Sequence, residues 1–269
     1  MSYSTLPIPG MGTFRLKGDE ARKAIATALQ LGYRHIDTAT MYDNETEVGE
    51  AIADSGLVRE DLFLTTKVWH TELEPEALHA SLDGSLQRLG TNHVDLLLIH
   101  WPSPQQSVPM AETLNALKAA RDSGKTRHIG VSNFTIAQID QAIELLGEGE
   151  LLTNQIEVHP FLQNHSIVDH CQQRGITVTG YMPLAEGRVV DDPILIDIAN
   201  AHQLTPAQVA LAWLHQRNIV PIPASRKAEH LQANLDAISV VLTDAQMQRI
   251  AQLDRQQRLA NPGFAPRWD

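Results

Sequence analysis

Apolar positions in this sequence gather into short, dense runs, and longer stretches with helical spacing separate them. The runs are Ile8–Thr13, His35–Thr38, Leu62–Val68, Val94–His100, Thr126–Ser132, Leu152–Glu157, Ile176–Tyr181 and Ile219–Pro223. Several, such as Asp95 to Ile99, are continuous rather than alternating, which is the pattern of strands covered on both faces. Between the runs, Ala21, Ile25, Ala28 and Leu29 share one face of a helix over Asp19–Leu31. Leu78, Leu82, Leu86 and Leu89 do the same over Leu73–Leu89, with Pro75 near the start, where the first turn tolerates it. Leu114, Leu117 and Ala120 mark a helix ended by Gly124, and Ile136, Ile139, Ile143 and Leu146 mark the next. Thr205 to Gln208 reads as a capped start that leads into Val209, Trp213 and Leu214.

Repeated strand–helix units predict an α/β fold with a parallel sheet, and eight of them favour closure into a (β/α)8 TIM barrel. The 269 residues suit one such barrel, and no Pro- or Gly-rich linker divides them. A single domain over residues 1–269 is therefore expected.

Composition narrows the classes. The chain is 43% hydrophobic, and no apolar run approaches the ~20 residues of a membrane helix. Its start has neither the basic residues nor the apolar stretch of a signal peptide, so a cytoplasmic protein that touches no membrane is expected. The one cysteine, Cys171, sits in a helical stretch, His165–Arg174, and reads as a buried structural thiol in a reducing compartment. A net charge of −11 argues against nucleic acid as a partner, and an anionic cofactor then needs a local basic patch. Nothing in the pattern demands more than a monomer.

In such barrels the chemistry lies at the C-terminal ends of the strands. Three successive runs end in ionisable residues, Asp37, Lys67 and His100, and Tyr42 lies in the loop after the second. Singly, these read as a cap, a solvated strand end, a structural histidine and a surface aromatic. Together they converge on one small volume. Tyrosine ordinarily ionises near pH 10, and a neighbouring ammonium is expected to lower that value. Asp37 would hold Lys67 in place, and His100 would orient a carbonyl. The set suits protonation of a carbonyl oxygen while hydride reaches the carbon.

These residues resemble the aldo-keto reductase family. The resemblance runs from about Met11 to Asp254 and rests on several segments in order: Gly12-Thr13-Phe14, Gly32 to Ala39, Tyr42 to Glu45, Thr66 to Trp69, Leu98 to Pro102, Gly130 to Phe134, and Asn154 to Glu157. With its closing Ala265–Asp269 segment, the whole pattern is similar to a bacterial branch of that family that reduces 2,5-diketo-D-gluconate. The resemblance implies a tetrad of Asp37, Tyr42, Lys67 and His100, with Tyr42 as general acid and no metal. It implies that Ser132, Asn133 and Gln155 hold the nicotinamide carboxamide, that Tyr181 stacks on the ring, and that Thr13, Phe14 and Leu184 border the same cofactor.

The dinucleotide fingerprint of open sheets fails here, because Gly10 and Gly12 are followed by Arg15 where the third glycine belongs. The phosphate site is instead expected where Ser225, Arg226 and Lys227 open a helix, with His230 and Asn234 further along it. Many family members have lysine, arginine and glutamate where this chain has Ala224, His230 and Ala233. NADPH is nevertheless expected rather than NADH. Phe14, Trp69, His100 and Trp101 would line the substrate pocket, with the tail near Trp268. Its open mouth suits small polar carbonyls such as 2,5-diketo-D-gluconate or methylglyoxal. A cofactor-binding redox sensor on the same barrel is the alternative. A Schiff-base enzyme on Lys67 leaves Tyr42, Tyr181 and the basic turn unexplained.

Overall fold

Why eight short runs can close on themselves is visible in the computed structural model, which describes residues 6–269. They form β1 (Gly10–Gly12), β2 (His35–Asp37), β3 (Phe63–Val68), β4 (Val94–Ile99), β5 (Thr126–Ser132), β6 (Leu151–Glu157), β7 (Thr177–Tyr181) and β8 (Ile219–Pro221). Each strand pairs in parallel with the next in sequence, in the order β1 to β8. The ends of the sheet meet where the Gly12 amide donates to the Pro223 carbonyl at 3.1 Å. Only glycine fits there, since a Cβ on residue 12 would lie 2.7 Å from the Ile222 carbonyl oxygen.

Alternate strand residues point inward and outward. Phe63, Leu96, Leu98 and Val220 pack with Leu6 as an inner cluster, while Leu64, Leu97, Ile99 and Ile129 join the larger cluster under the helices. The helices are α1 (Gly18–Leu31), α2 (Glu45–Asp54), α3 (Pro75–Leu89), α4 (Met110–Asp122), α5 (Ile136–Leu146), α6 (His165–Gln173), α7 (Pro193–His202), α8 (Pro206–Gln216), α9 (Ala228–Asp236) and α10 (Asp244–Ala251). Ala21, Ile25, Ala28 and Leu29 are buried as their spacing predicts, and so are Leu78, Leu82, Leu86 and Leu89. Thr135 and Thr205 form reciprocal capping boxes with Gln138 and Gln208, which fixes where α5 and α8 begin. Cys171 is fully buried, and burial pushes its thiol up to about 12.

Periodicity does not single out α2, α7 or α10. The buried face of α2 is small, Val48, Gly49 and Ala51, because its backbone runs against that of α3: a Cβ on Gly49 would lie 2.6 Å from the Leu89 carbonyl oxygen. The outer runs also shorten. β1 and β8 each keep three residues, and Pro9, Pro221 and Pro223 bound them. No helix among the described residues is long and apolar enough to cross a membrane.

The chain from Arg255 onward turns back over the C-terminal ends of the strands. Arg255 and Gln257 donate backbone N–H groups to the Phe161 carbonyl, and both carboxylate oxygens of Asp269 accept from the Ile136 amide at the start of α5.

Candidate active site at the barrel mouth

Asp37, Lys67 and His100 stand at or just past the ends of β2, β3 and β4, and a short 3-10 turn over Thr40–Tyr42 brings Tyr42 in beside them. Lys67 is fully buried, and its ammonium has three protons to place. One goes to Asp37 Oδ1, one to the Thr38 carbonyl at 2.9 Å, and one to the Tyr42 hydroxyl at 3.3 Å. The second oxygen of Asp37 accepts from Gln155 Nε2 at 2.7 Å, which ties β6 to β2 across the mouth. The His100 ring meets Tyr42 edge-on with centroids 5.5 Å apart and meets Trp69 at 5.0 Å.

Burial sets the protonation states here. Enclosure, with the Asp37 charge second, raises the Tyr42 phenol well above its ordinary value. The lowered phenol expected from Lys67 is therefore reversed in this structure, because the lost hydration and the Asp37 carboxylate outweigh one ammonium. Burial lowers Lys67, and Asp37 opposes that. Burial, helped by the Lys67 and His70 charges, holds His100 well below the usual imidazole range. The result is a protonated phenol beside a neutral imidazole, whose Nδ1 has no partner among the described residues.

A cavity of about 750 Å³ rises from this floor. Trp69, Trp101, Phe14 and Phe264 give it an aromatic wall, and Tyr181, Leu184, Ile222 to Ala224 and Arg226 also line it. Asn133 and Gln155 lie on its wall, and Ser132 does not. Ser132 Oγ donates to the Gln155 carbonyl at 2.7 Å and accepts from Asn133 Nδ2 at 3.0 Å. Asn133 has φ 61, a left-handed conformation that asparagine tolerates, and its Oδ1 accepts from the Tyr181 hydroxyl at 2.8 Å. The Tyr181 ring is thereby held at the cavity edge. Thr13 is buried, with its hydroxyl donating to the Asp37 carbonyl at 3.0 Å.

The basic turn lies where the sequence places it. Arg226 reaches the cavity wall and is exposed, paired with Glu20 at 3.0 Å. Ser225, Lys227 and His230 lie outside that wall, the last two exposed to solvent. Lys227 precedes α9 with no side-chain cap, and its carbonyl accepts from the His230 and Leu231 amides, which leaves the Ala228 and Glu229 amides open to an anion. Asn234 is buried and hydrogen-bonded to the Tyr33 phenol.

Three features of the site have no signal in sequence spacing. Phe264 closes the aromatic wall from the tail. Arg15 and Glu186 form a 3.0 Å ion pair between the loops after β1 and β7. Gln155 holds Asp37.

Comparison with known proteins finds relatives along nearly the whole chain. The model of the Aldo/keto reductase family matches residues 10–255. The methylglyoxal reductase DkgB of Yersinia pestis is 48% identical, over 98% of this chain and 100% of that protein. A solved structure provisionally named 2,5-diketo-D-gluconic acid reductase B is 43% identical, with a TM-score of 0.94 over 98% of this chain and 94% of that one. The aldo-keto reductase of Bombyx mori in complex with NADP is 33% identical, with a TM-score of 0.89 over 97% of this chain and 95% of that one.

Proposed function

The chain belongs to the aldo/keto reductase family and is an oxidoreductase acting on carbonyl groups, and from that premise we propose that it reduces small polar carbonyls with NADPH, with Tyr42 as the proton donor. The observation that carries the reading is the Lys67 ammonium, fixed by Asp37 and Thr38 and left one proton with which to hold the Tyr42 hydroxyl at the cavity floor. A nicotinamide dinucleotide, when bound, supplies hydride to the carbonyl carbon. The protein's part is to place that carbon and to deliver a proton to its oxygen.

His100 is neutral and offers one N–H to orient the carbonyl oxygen toward Tyr42. Tyr42 then gives up its proton, and the phenolate left behind faces the Lys67 ammonium at 3.3 Å. Burial of Lys67 and His100 keeps competing water away from that transfer. Asn133 and Gln155, with Ser132 behind them, would hold the carboxamide; Tyr181 would carry the ring; and Thr13, Phe14 and Leu184 would flank it. The phosphate end fits the uncapped start of α9, where Ser225, Arg226 and Lys227 gather, with His230 and Asn234 beyond. That local positive charge in a chain of net charge −11 supports NADPH over NADH. The aromatic wall of Phe14, Trp69 and Trp101, and the likeness to methylglyoxal reductases, support methylglyoxal or 2,5-diketo-D-gluconate as substrate.

The test is NADPH oxidation at ~340 nm, the reduced-cofactor absorbance band, with both carbonyls, beside NADH, for wild type and Tyr42→Phe. Wild type should turn over with NADPH, and the variant should lose at least roughly a hundredfold, the scale of a lost general acid. Turnover untouched by Tyr42→Phe would discard the mechanism. NADPH bound tightly with no turnover of either carbonyl would replace the reductase by a cofactor sensor.

A further inference from the structure

Glu157, the last residue of β6, has no part in the chemistry above, yet it is fully buried at the active end of the barrel. A buried carboxylate persists only where donors replace its water. Three donors do so here: His159 Nε2 at 2.9 Å and the Leu259 amide at 2.8 Å on Oε1, and the Ala260 amide at 2.8 Å on Oε2. Two of the three are backbone groups of the returning tail. The neighbouring Asn164 extends the same attachment, donating to the Glu157 carbonyl at 2.6 Å and accepting from Arg258 Nη2 at 3.1 Å. Residues 258, 259 and 260 are thus fastened in succession at one spot.

Beyond that spot the tail becomes cavity wall. Pro262 and Phe264 line the mouth, and the Phe264 ring stands edge-on to Trp69 at 5.7 Å and to Trp101 at 5.6 Å. Asp269 then fixes the far end on the start of α5. The tail is a strap held at two points, with the aromatic wall strung between them.

We infer that Glu157 is a positioning residue that sets which carbonyls the mouth accepts, acting through residues 259 to 264 on the part of the substrate remote from the reacting carbon. The inference rests on the carbonyl-reductase reading. A glutamine at 157 keeps one acceptor oxygen but turns an NH2 group toward a backbone N–H, so one attachment is lost and Phe264 loses its fixed position. A carbonyl with a ring substituent reaches Phe264, whereas methylglyoxal carries a single methyl group.

Glu157→Gln and Phe264→Ala should therefore share one phenotype with NADPH. In both, the KM for phenylglyoxal rises by roughly tenfold, the scale of a lost apolar wall contact, while in Glu157→Gln its kcat, the KM for methylglyoxal and the affinity for NADPH stay within about twofold. Hydrogen exchange at the Leu259 and Ala260 amides reads the attachment without any turnover: slow at both in wild type and in Phe264→Ala, fast at one of the two in Glu157→Gln. Equal losses for both carbonyls in Glu157→Gln, or fast exchange already in wild type, would overturn the inference. If wild type turned over neither carbonyl, the proposed function would fall, and the exchange result would still decide whether Glu157 fastens the tail.

Discussion

Tyr42 keeps its proton because it is enclosed, and that has a consequence for pH. Burial and the Asp37 charge raise the phenol above its ordinary value near 10. The protonated acid is the form that reduction consumes, so kcat/KM for methylglyoxal should show no alkaline fall from this group below about pH 10. A falling limb near neutrality that Tyr42→Phe abolishes would contradict this. On the cavity wall, Arg226 is held by an exposed pair with Glu20, and such pairs are weak. A phosphate should displace the carboxylate readily. Arg226→Ala should raise the KM for NADPH by about fivefold and leave NADH nearly unchanged, whereas Glu20→Gln should lower the KM for NADPH. Equal effects on both cofactors would argue against a 2′-phosphate at Arg226. Lys67, His100 and Arg226 are legible in the sequence because strand ends and a helix start announce them, and Tyr42 because its loop follows the strand that ends in Asp37. The bond from Gln155 to Asp37 is not, since it joins strands on opposite sides of the barrel and no local spacing encodes it.

Among the elements, the same contrast comes from how each one buries its face. The strands of the inner sheet are covered on both sides and read as apolar runs, and α1 and α3 show a clean leucine or alanine stripe. Helix α2 carries no such stripe, because its contact with α3 is made by backbone rather than by large side chains. Gly49→Ala tests that contact. The new methyl would meet the Leu89 backbone, which cannot rotate aside, and the variant should lose about 1–3 kcal/mol of stability in urea unfolding. Unchanged stability would mean that α2 and α3 can separate at little cost. The tail is the other element the sequence leaves open: two prolines and a tryptophan mark a chain end lying over one face, but not the carboxylates that fasten it.

For the molecule as a whole, acid should act through the barrel interior. His35 is buried there with its Nε2 3.1 Å from Thr65 Oγ1, and burial lowers its pKa to about 4. The unfolded chain takes up this proton near pH 6.5, and the folded chain takes it up only near 4. Between those values protonation favours unfolding, so stability present above 6.5 is lost as pH falls through the window. The loss from this group alone is about 3 kcal/mol at roughly 1.4 kcal/mol per pKa unit. Urea unfolding at several pH values should show it, and His35→Gln should flatten the curve over that interval. A wild-type curve already flat there would assign the acid sensitivity elsewhere.

The contact that closes the sheet, from the Gly12 amide to the Pro223 carbonyl, also orders events in time. Every other strand pairing joins sequence neighbours through one connection, with a single α-helix in each except between β7 and β8, where α7 and α8 intervene. This one joins residue 12 to residue 223, the two ends of the sheet, so it is the most non-local strand contact and is expected to form late. The basic turn proposed for the cofactor's phosphate end begins two residues beyond it. A ligand seated there binds the finished barrel and not its precursors: it would leave the folding rate alone and slow the opening of the seam.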